Sequence, residues 1–191
     1  MKIPLSFQRT SFDCGPTSLM NAISYLFERE EIPAEIIKDI CLYSLDCYDE
    51  KGNRGQKGTS RSSITLITDW LNDFSKTKGF NLACEKLVGK EITIAKLKKC
   101  VDTGGVILAR LWLDVEHYVI VTSIDDKDIY IFDPYYLAKD YYEEETDVRI
   151  VFNKPFSHNR IVKIKRFTST TKKDFSLGKI ENRECVLMKK L

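Results

Sequence analysis

The sequence predicts an α+β fold in which a helical lobe packs on an antiparallel sheet lobe. Apolar side chains recur at helical spacing through most of residues 1–105. After Gly104 and Gly105 the spacing changes to that of strands, and the strands follow one another through short connections, as in an antiparallel sheet. We therefore expect one domain over residues 1–191, with a helical lobe at 1–105, a sheet lobe at 106–191 and a cleft between them.

Four helices and one strand are predicted in the helical lobe. The first helix spans Pro16 to Glu30, because one apolar stripe recurs along it at steps of one, four, seven and eight residues. A polar segment with three glycines, Tyr48 to Gly58, is predicted to be a loop, long enough to act as a lid. The other elements are a helix from Ile36 to Leu45, a helix capped by Ser60 or Ser62 with apolar residues from Ile64 to Phe74, a strand from Phe80 to Val88, and a helix from Ile94 to Val101 that the glycine pair ends.

Five strands are predicted in the sheet lobe, with Cys185 to Met188 as a candidate sixth. The pattern leaves open whether the segment from Thr168 to Leu191 extends the sheet, covers the cleft or mediates assembly. The five strands are Val106 to Leu113, Tyr118 to Ile124, Ile129 to Phe132, Val148 to Phe152 and Ile161 to Phe167.

Cys14 is the candidate nucleophile. It lies at or just before the start of the first helix, and Pro16 suits the first turn because its missing N–H would have had no partner there. Unpaired N–H groups and the helix dipole favour negative charge at such a position, and a cysteine attacks as its thiolate. Gly15 is predicted to leave room for a substrate backbone near the sulfur.

The base and its orienting partner are predicted from a hairpin. The chain has two histidines. His117 opens one apolar strand, Asp133 closes the next, and the turn between these strands brings the two residues together. Pro134 keeps Asp133 extended. Gln8, six residues before Cys14, is a candidate donor to the oxyanion, although a lone glutamine carries little information. His158 has no comparable context and is interpreted as a surface-turn residue.

These residues resemble the C39 and C39-like peptidases, a family of papain-like cysteine peptidases. The resemblance runs from about residue 5 to about residue 166. It implies a papain-like fold in which Cys14 is the nucleophile, His117 the base and then the acid, Asp133 the residue that orients the imidazole, and Gln8 the oxyanion donor. The motifs that carry it are Gln8, Asp13-Cys14-Gly15-Pro16, Gly58-Thr59-Ser60, His117-Tyr118, Asp133-Pro134 and Asn159-Arg160-Ile161-Val162.

Gly15, Trp112 and Tyr118 are the candidate substrate-binding residues. Trp112 precedes the base by five residues and is a candidate for the wall of the cleft. A tryptophan in a strand is, however, more often part of the hydrophobic core. The expected substrate is a peptide or a small amide, with no metal and no organic cofactor.

Composition argues against several other classes of protein. A net charge of +2 with scattered basic residues is too sparse for nucleic-acid binding. No apolar run approaches the roughly 20 residues of a membrane span. The six cysteines do not have the spacing of a disulfide framework or of zinc ligands, so we expect reduced thiols and a cytoplasmic location.

Three alternatives remain open at this stage. A papain-like acyltransferase would use the same four residues and pass the acyl group to an amine. A peptide-binding module would keep the cleft without the chemistry, although an intact Cys, His and Asp set argues against it. A non-catalytic partner in a larger assembly would show an exposed apolar patch.

Overall fold

A computed structural model describes residues 1–191. It has an antiparallel sheet of seven strands with helices on both faces, which confirms the predicted α+β fold class. The strands lie in the order β1-β7-β2-β3-β4-β6-β5. The helices are α1 (Cys14–Leu26), α2 (Ala34–Tyr43), α3 (Arg61–Lys78), α4 (Ile94–Asp102) and α5 (Ile164–Phe167). The strands are β1 (Leu82–Val88), β2 (Val106–Leu113), β3 (Val115–Ile124), β4 (Asp128–Phe132), β5 (Val148–Ile150), β6 (Arg160–Lys163) and β7 (Glu184–Lys190).

Two hydrophobic cores form because side chains alternate between the two faces of each strand. Leu108 and Ile120 point toward α1, α2 and α3, whereas their strand neighbours Ile107 and Val119 point toward α4 and α5. All four side chains are at most 1 % exposed. The continuous apolar runs of β2 and β3 therefore reflect strands that are covered on both sides.

The sheet extends into the first half of the chain, so the predicted division at residue 105 does not describe its layers. β1 pairs along its whole length with β7, and β7 also pairs with β2, which places the C-terminal strand inside the sheet. α4 packs on the face opposite to α1, although the prediction groups them in one lobe. Pairing between segments about 100 residues apart leaves no trace in a local pattern.

Three predicted elements end earlier than expected. α1 stops at Leu26, and Phe27 turns away in extended conformation to stack on Phe80, with ring centres 4.2 Å apart. β5 stops at Ile150, and Phe152 is exposed. The predicted strand from 161 to 167 ends at Lys163 and continues as α5, whose two apolar ends are three residues apart, as one helical turn requires.

Ser60 caps α3, as predicted. Its hydroxyl accepts a hydrogen bond from the backbone N–H of Ser63. Asp46 in turn accepts the backbone N–H of Ser60 at 2.8 Å, which fixes the segment that leads into α3. None of the five helices is long and apolar enough to cross a membrane.

Candidate active site

Cys14 is the first residue of α1 and is 7 % exposed. No side chain caps this helix. Asp13, directly before it, instead accepts the backbone N–H groups of Arg9 and Thr10 at 3.0 and 2.7 Å, and the Thr10 hydroxyl at 2.7 Å. Burial would raise the pKa of the Asp13 carboxyl, but these donors outweigh it and hold that pKa below its usual range. Asp13 thus folds the preceding loop back and leaves the helix N-terminus to Cys14.

α1 is fixed to the sheet beside the first residues of β3. The hydroxyl of Ser18 donates a 2.8 Å hydrogen bond to the backbone carbonyl of Tyr118. Leu19 and Ile23, on the same side of the helix, are fully buried. The start of α1 is therefore held close to His117, the residue before Tyr118.

The hairpin of β3 and β4 brings His117 and Asp133 together, as the sequence predicts. Asp125 shapes the turn by accepting the backbone N–H groups of Lys127 and Asp128 at 2.8 and 2.7 Å. At the far end of the hairpin, Nε2 of His117 lies 2.7 Å from Oδ1 of Asp133. The two side chains are only 7 % and 1 % exposed, so the pair is shielded from water.

Asp133 is held by contacts from three directions. The side chain of Asn159 accepts its backbone N–H at 2.7 Å and donates to its backbone carbonyl at 2.8 Å. The backbone N–H of Tyr135 donates to Oδ1 at 2.8 Å. The guanidinium of Arg160, itself 2 % exposed, lies 3.4 Å from Oδ2. A carboxylate so constrained fixes the orientation of the imidazole bound to it.

The electrostatics of this pair favour a charged imidazole. Burial by itself would lower the pKa of His117, but the charge and hydrogen bond of Asp133, together with the contact to Cys14, outweigh burial and raise the pKa to about 10. Burial would raise the pKa of Asp133, but His117 and then Arg160 more than compensate and keep it below its usual range. An imidazolium next to a carboxylate is therefore the expected state at neutral pH.

After Asp133, the Cys14 thiol also contributes to the raised pKa of His117. Because Nε2 is committed to Asp133, Nδ1 is the ring nitrogen left for the sulfur. We expect Cys14, His117 and Asp133 to form one chain of interacting side chains, because the Ser18–Tyr118 bond holds the start of α1 close to His117. Such a chain can hold a thiolate, move a proton through Nδ1 and stabilise the resulting imidazolium.

Gln8 lies at the same site. Its backbone N–H donates to the carbonyl of Pro134 at 2.9 Å, directly after Asp133. Its side-chain Nε2 donates to the carbonyl of Thr10 at 2.7 Å, which occupies one of the two amide hydrogens, and its Oε1 is buried without a hydrogen-bond partner. The side chain borders a cavity of about 520 Å³ that His117 and Asp133 also line.

In the structure, close packing explains the glycine at position 15, whereas the sequence analysis predicted access for a substrate. A Cβ at this position would lie 2.4 Å from Oγ1 and 2.7 Å from Cβ of Thr59. The space beside Gly15 is therefore filled by the segment that leads into α3, and the glycine serves packing rather than substrate access.

We expect Gly15→Ala to lower the free energy of unfolding by about 1–3 kcal/mol, the usual cost of forcing extra atoms into a packed core. Urea denaturation of Gly15→Ala, Thr59→Gly and the double variant measures the coupling between the two sites. The double variant should recover part of the loss caused by Gly15→Ala. Additive losses would show that Thr59 is not the obstacle.

Two predicted substrate-binding residues lie elsewhere. Tyr118 is 3 % exposed in the core, and its hydroxyl donates to the buried carboxylate of Glu184 at 3.0 Å. Trp112 borders a separate cavity and carries Nζ of Lys172 4.2 Å from its ring centre. Neither residue lines the cavity beside His117, so the structure does not support a substrate-binding role for them.

Asn159 and Arg160 hold Asp133 in place, and the sequence analysis predicted no role for either of them. They are 26 and 27 positions after Asp133, and both are almost fully buried against it. One feature of the sequence could have indicated their role, because both are polar and directly precede the apolar pair Ile161-Val162. Polar groups at the start of a buried strand need nearby hydrogen-bond partners.

Comparison with known proteins identifies the family. The sequence profile of the Peptidase_C39 like family matches residues 1–163. This chain belongs to that family. No curated protein matches the chain.

Solved structures of C39 peptidases share the fold of this C39-like chain. The peptidase domain of Streptococcus ComA, a bi-functional ABC transporter involved in a quorum-sensing pathway, is 14 % identical with a TM-score of 0.50, and the match covers 98 % of each chain. A putative C39-like peptidase from Bacillus anthracis is 17 % identical with a TM-score of 0.51, over 97 % of this chain and 94 % of that one. Because each match covers nearly the whole chain, both extend beyond residue 163, where the match to the family profile ends.

Proposed function

We propose that this C39-like chain is a cysteine peptidase or amidase that cleaves a peptide or amide bond through a thioester on Cys14. The observation that carries the proposal is the buried 2.7 Å contact between His117 and Asp133, together with the hydrogen bond from Ser18 to Tyr118 that holds the start of α1, and so Cys14, close to His117. Membership of the C39-like peptidase family supports the same chemistry.

In the first half-reaction, the Cys14 thiolate attacks the carbonyl carbon and a C–S bond forms. The negative charge moves onto the carbonyl oxygen, where the backbone N–H of Cys14 and the remaining amide hydrogen of Gln8 are the proposed donors. When the C–N bond breaks, Nδ1 of His117 gives its proton to the leaving amine. The acyl group stays on the sulfur as a thioester.

In the second half-reaction, water replaces the amine. Neutral His117 accepts a proton from the water through Nδ1 as the oxygen attacks the thioester carbon. The C–S bond breaks, the carboxylic acid leaves and the thiolate–imidazolium pair is restored. Asp133 keeps the proton on Nε2 in both halves, so that Nδ1 alone exchanges protons.

The proposal is tested by incubating the protein with a mixture of peptides from a digested proteome and identifying new termini by mass spectrometry. The wild type should generate cleavage products and Cys14→Ala should generate none. Cys41→Ala, which removes an exposed cysteine from α2, is the matched control and should behave as the wild type. Identical products from the wild type and Cys14→Ala would refute the proposal.

The same assay separates hydrolysis from acyl transfer. In the presence of a primary amine, a hydrolase releases the free acid, whereas an acyltransferase releases the acyl group joined to the amine. A protein that binds peptides and yields neither product would be a binding module.

A further inference from the structure

The cavity beside His117 is large enough to hold part of a substrate. Its volume of about 520 Å³ falls in the range typical of ligand sites. Cys14 is not among its lining residues, whereas His117 and Asp133 are. The cavity therefore lies on the imidazole side of the proposed catalytic pair. Since His117 gives its proton to the leaving amine, a cavity that borders this imidazole is within reach of the residues that follow the scissile bond.

The charged groups of this cavity are unbalanced. Asp114, in the turn between β2 and β3, and Asp174, in the C-terminal segment, both line it, and no lysine or arginine does. The carboxylate of Asp114 makes no ion pair or hydrogen bond. Asp174 accepts the backbone N–H of Asp114 at 3.3 Å and the hydroxyl of Tyr142 at 3.0 Å, without a cation. The only cationic side chain in the lining, His117, is already paired with Asp133.

Two buried acceptors in the lining also lack donors. Oε1 of Gln8 and Oδ2 of Asp133 receive no hydrogen bond, and Asp133 is only 1 % exposed. Nη2 of Arg160 lies 3.4 Å from Oδ2, as an ion pair without a hydrogen bond. Leaving a buried acceptor without a donor is costly, and the side chain of Gln8 keeps such an unsatisfied oxygen in the wall of the cavity.

Aromatic rings complete the wall. Tyr135, Tyr136 and Tyr141 line the cavity and are 47 %, 61 % and 63 % exposed. The faces of such rings attract cations, and Nζ of Lys139 already lies 5.0 Å from the centre of the Tyr141 ring.

We propose that this cavity binds a cationic group of the substrate, the side chain of a lysine or arginine that follows the scissile bond. This inference rests on the proposed peptidase function and names its substrate class. The carboxylates of Asp114 and Asp174 provide the charge, and the tyrosine rings provide the faces, beside the unsatisfied oxygen of Gln8.

Cleavage of a peptide mixture tests the preference directly. Lysine and arginine should be enriched in the residues that follow the cut. For a matched pair of peptides that carry lysine or glutamine at the enriched position, the ratio of their kcat/KM values should fall about fivefold in Asp114→Asn. In Asp114→Lys, acidic residues should replace basic ones at that position.

Asp73→Asn is the control for the change in net charge, since Asp73 lies on α3 and its side chain is 76 % exposed. It should leave the lysine-to-glutamine ratio at the wild-type value. Asp114 is a better target than Asp174, whose two hydrogen bonds support the turn and Tyr142. Thermal unfolding confirms that each variant is folded.

A second readout does not depend on a substrate. Cys14 is labelled with a cationic and an anionic methanethiosulfonate of similar size, and with neutral iodoacetamide. The ratio of cationic to anionic rates should fall in Asp114→Asn and remain unchanged in Asp73→Asn. Cleavage or neutral labelling without any charge preference would overturn the cation site and leave the peptidase proposal standing. Absence of both cleavage and neutral labelling would overturn the proposed function itself.

Discussion

Replacing His117 with alanine is expected to reduce kcat/KM by at least about 10²- to 10⁴-fold, the range for loss of a general acid–base group. Without the imidazole, no group beside Cys14 can hold the thiolate, protonate the leaving amine or activate water. The loss should appear mainly in kcat, because the ring acts on the reacting atoms. The measurement uses a peptide found in the cleavage screen, and circular dichroism confirms that the fold is retained.

His158→Ala is the matched control for this experiment. His158 is the second of the two histidines in the chain and lies in the connection between β5 and β6. Its Nδ1 is 3.0 Å from the hydroxyl of Ser157, and burial, with Lys154 and Arg149, lowers its pKa. It should retain wild-type activity. A His117→Ala variant with more than a tenth of wild-type activity would contradict the assigned role.

Replacing Asp133 with alanine is expected to lower both activity and stability. The imidazole would lose the acceptor that fixes its tautomer, an effect of about 10⁴-fold where an orienting carboxylate has been removed from a comparable triad. Arg160 would lose its only carboxylate while remaining buried, which costs about 3–5 kcal/mol when a buried pair is broken from one side. Steady-state kinetics and urea denaturation measure the two losses.

Two further variants separate these effects. Asp133→Asn keeps the shape of the side chain, but its amide can donate to Nε2 and hold the imidazole in the wrong tautomer, so its activity should also fall by about 10⁴-fold. Arg160→Met in the Asp133→Ala background removes the unpaired cation and should restore stability without restoring activity. If activity returned together with stability, Asp133 would be a structural residue and not the one that orients His117.

The parts of the site that the sequence predicted depend on local chain geometry. One apolar stripe and a proline place Cys14 at the start of α1, and a hairpin with an Asp-rich turn brings His117 to Asp133. In each case the residues that decide the geometry are near neighbours in the chain. Position within a helix or hairpin can be inferred from spacing alone.

The parts that sequence reasoning missed depend on contacts between distant segments. Thr59 fills the space beside Gly15, and Glu184, on a strand near the C-terminus, binds Tyr118 in the core. A pattern of apolar residues predicts that Tyr118 is in a strand. It does not predict which face of the sheet the side chain lies on, or which residue accepts the hydrogen bond of its hydroxyl. The burial of Arg160 is similarly invisible, because arginine is fully buried only when a specific partner is present.

The most direct test of the central claim is the rate of Cys14 alkylation by iodoacetamide as a function of pH, with the site located by peptide mass spectrometry. His117 has a pKa raised to about 10, so its imidazolium should persist through neutral and acidic pH and hold a thiolate beside it. We expect fast labelling that continues well below pH 7 and is strongly reduced by His117→Ala. Labelling that simply follows an ordinary thiol, with a midpoint near about pH 8.5 in both proteins, would contradict the existence of the pair.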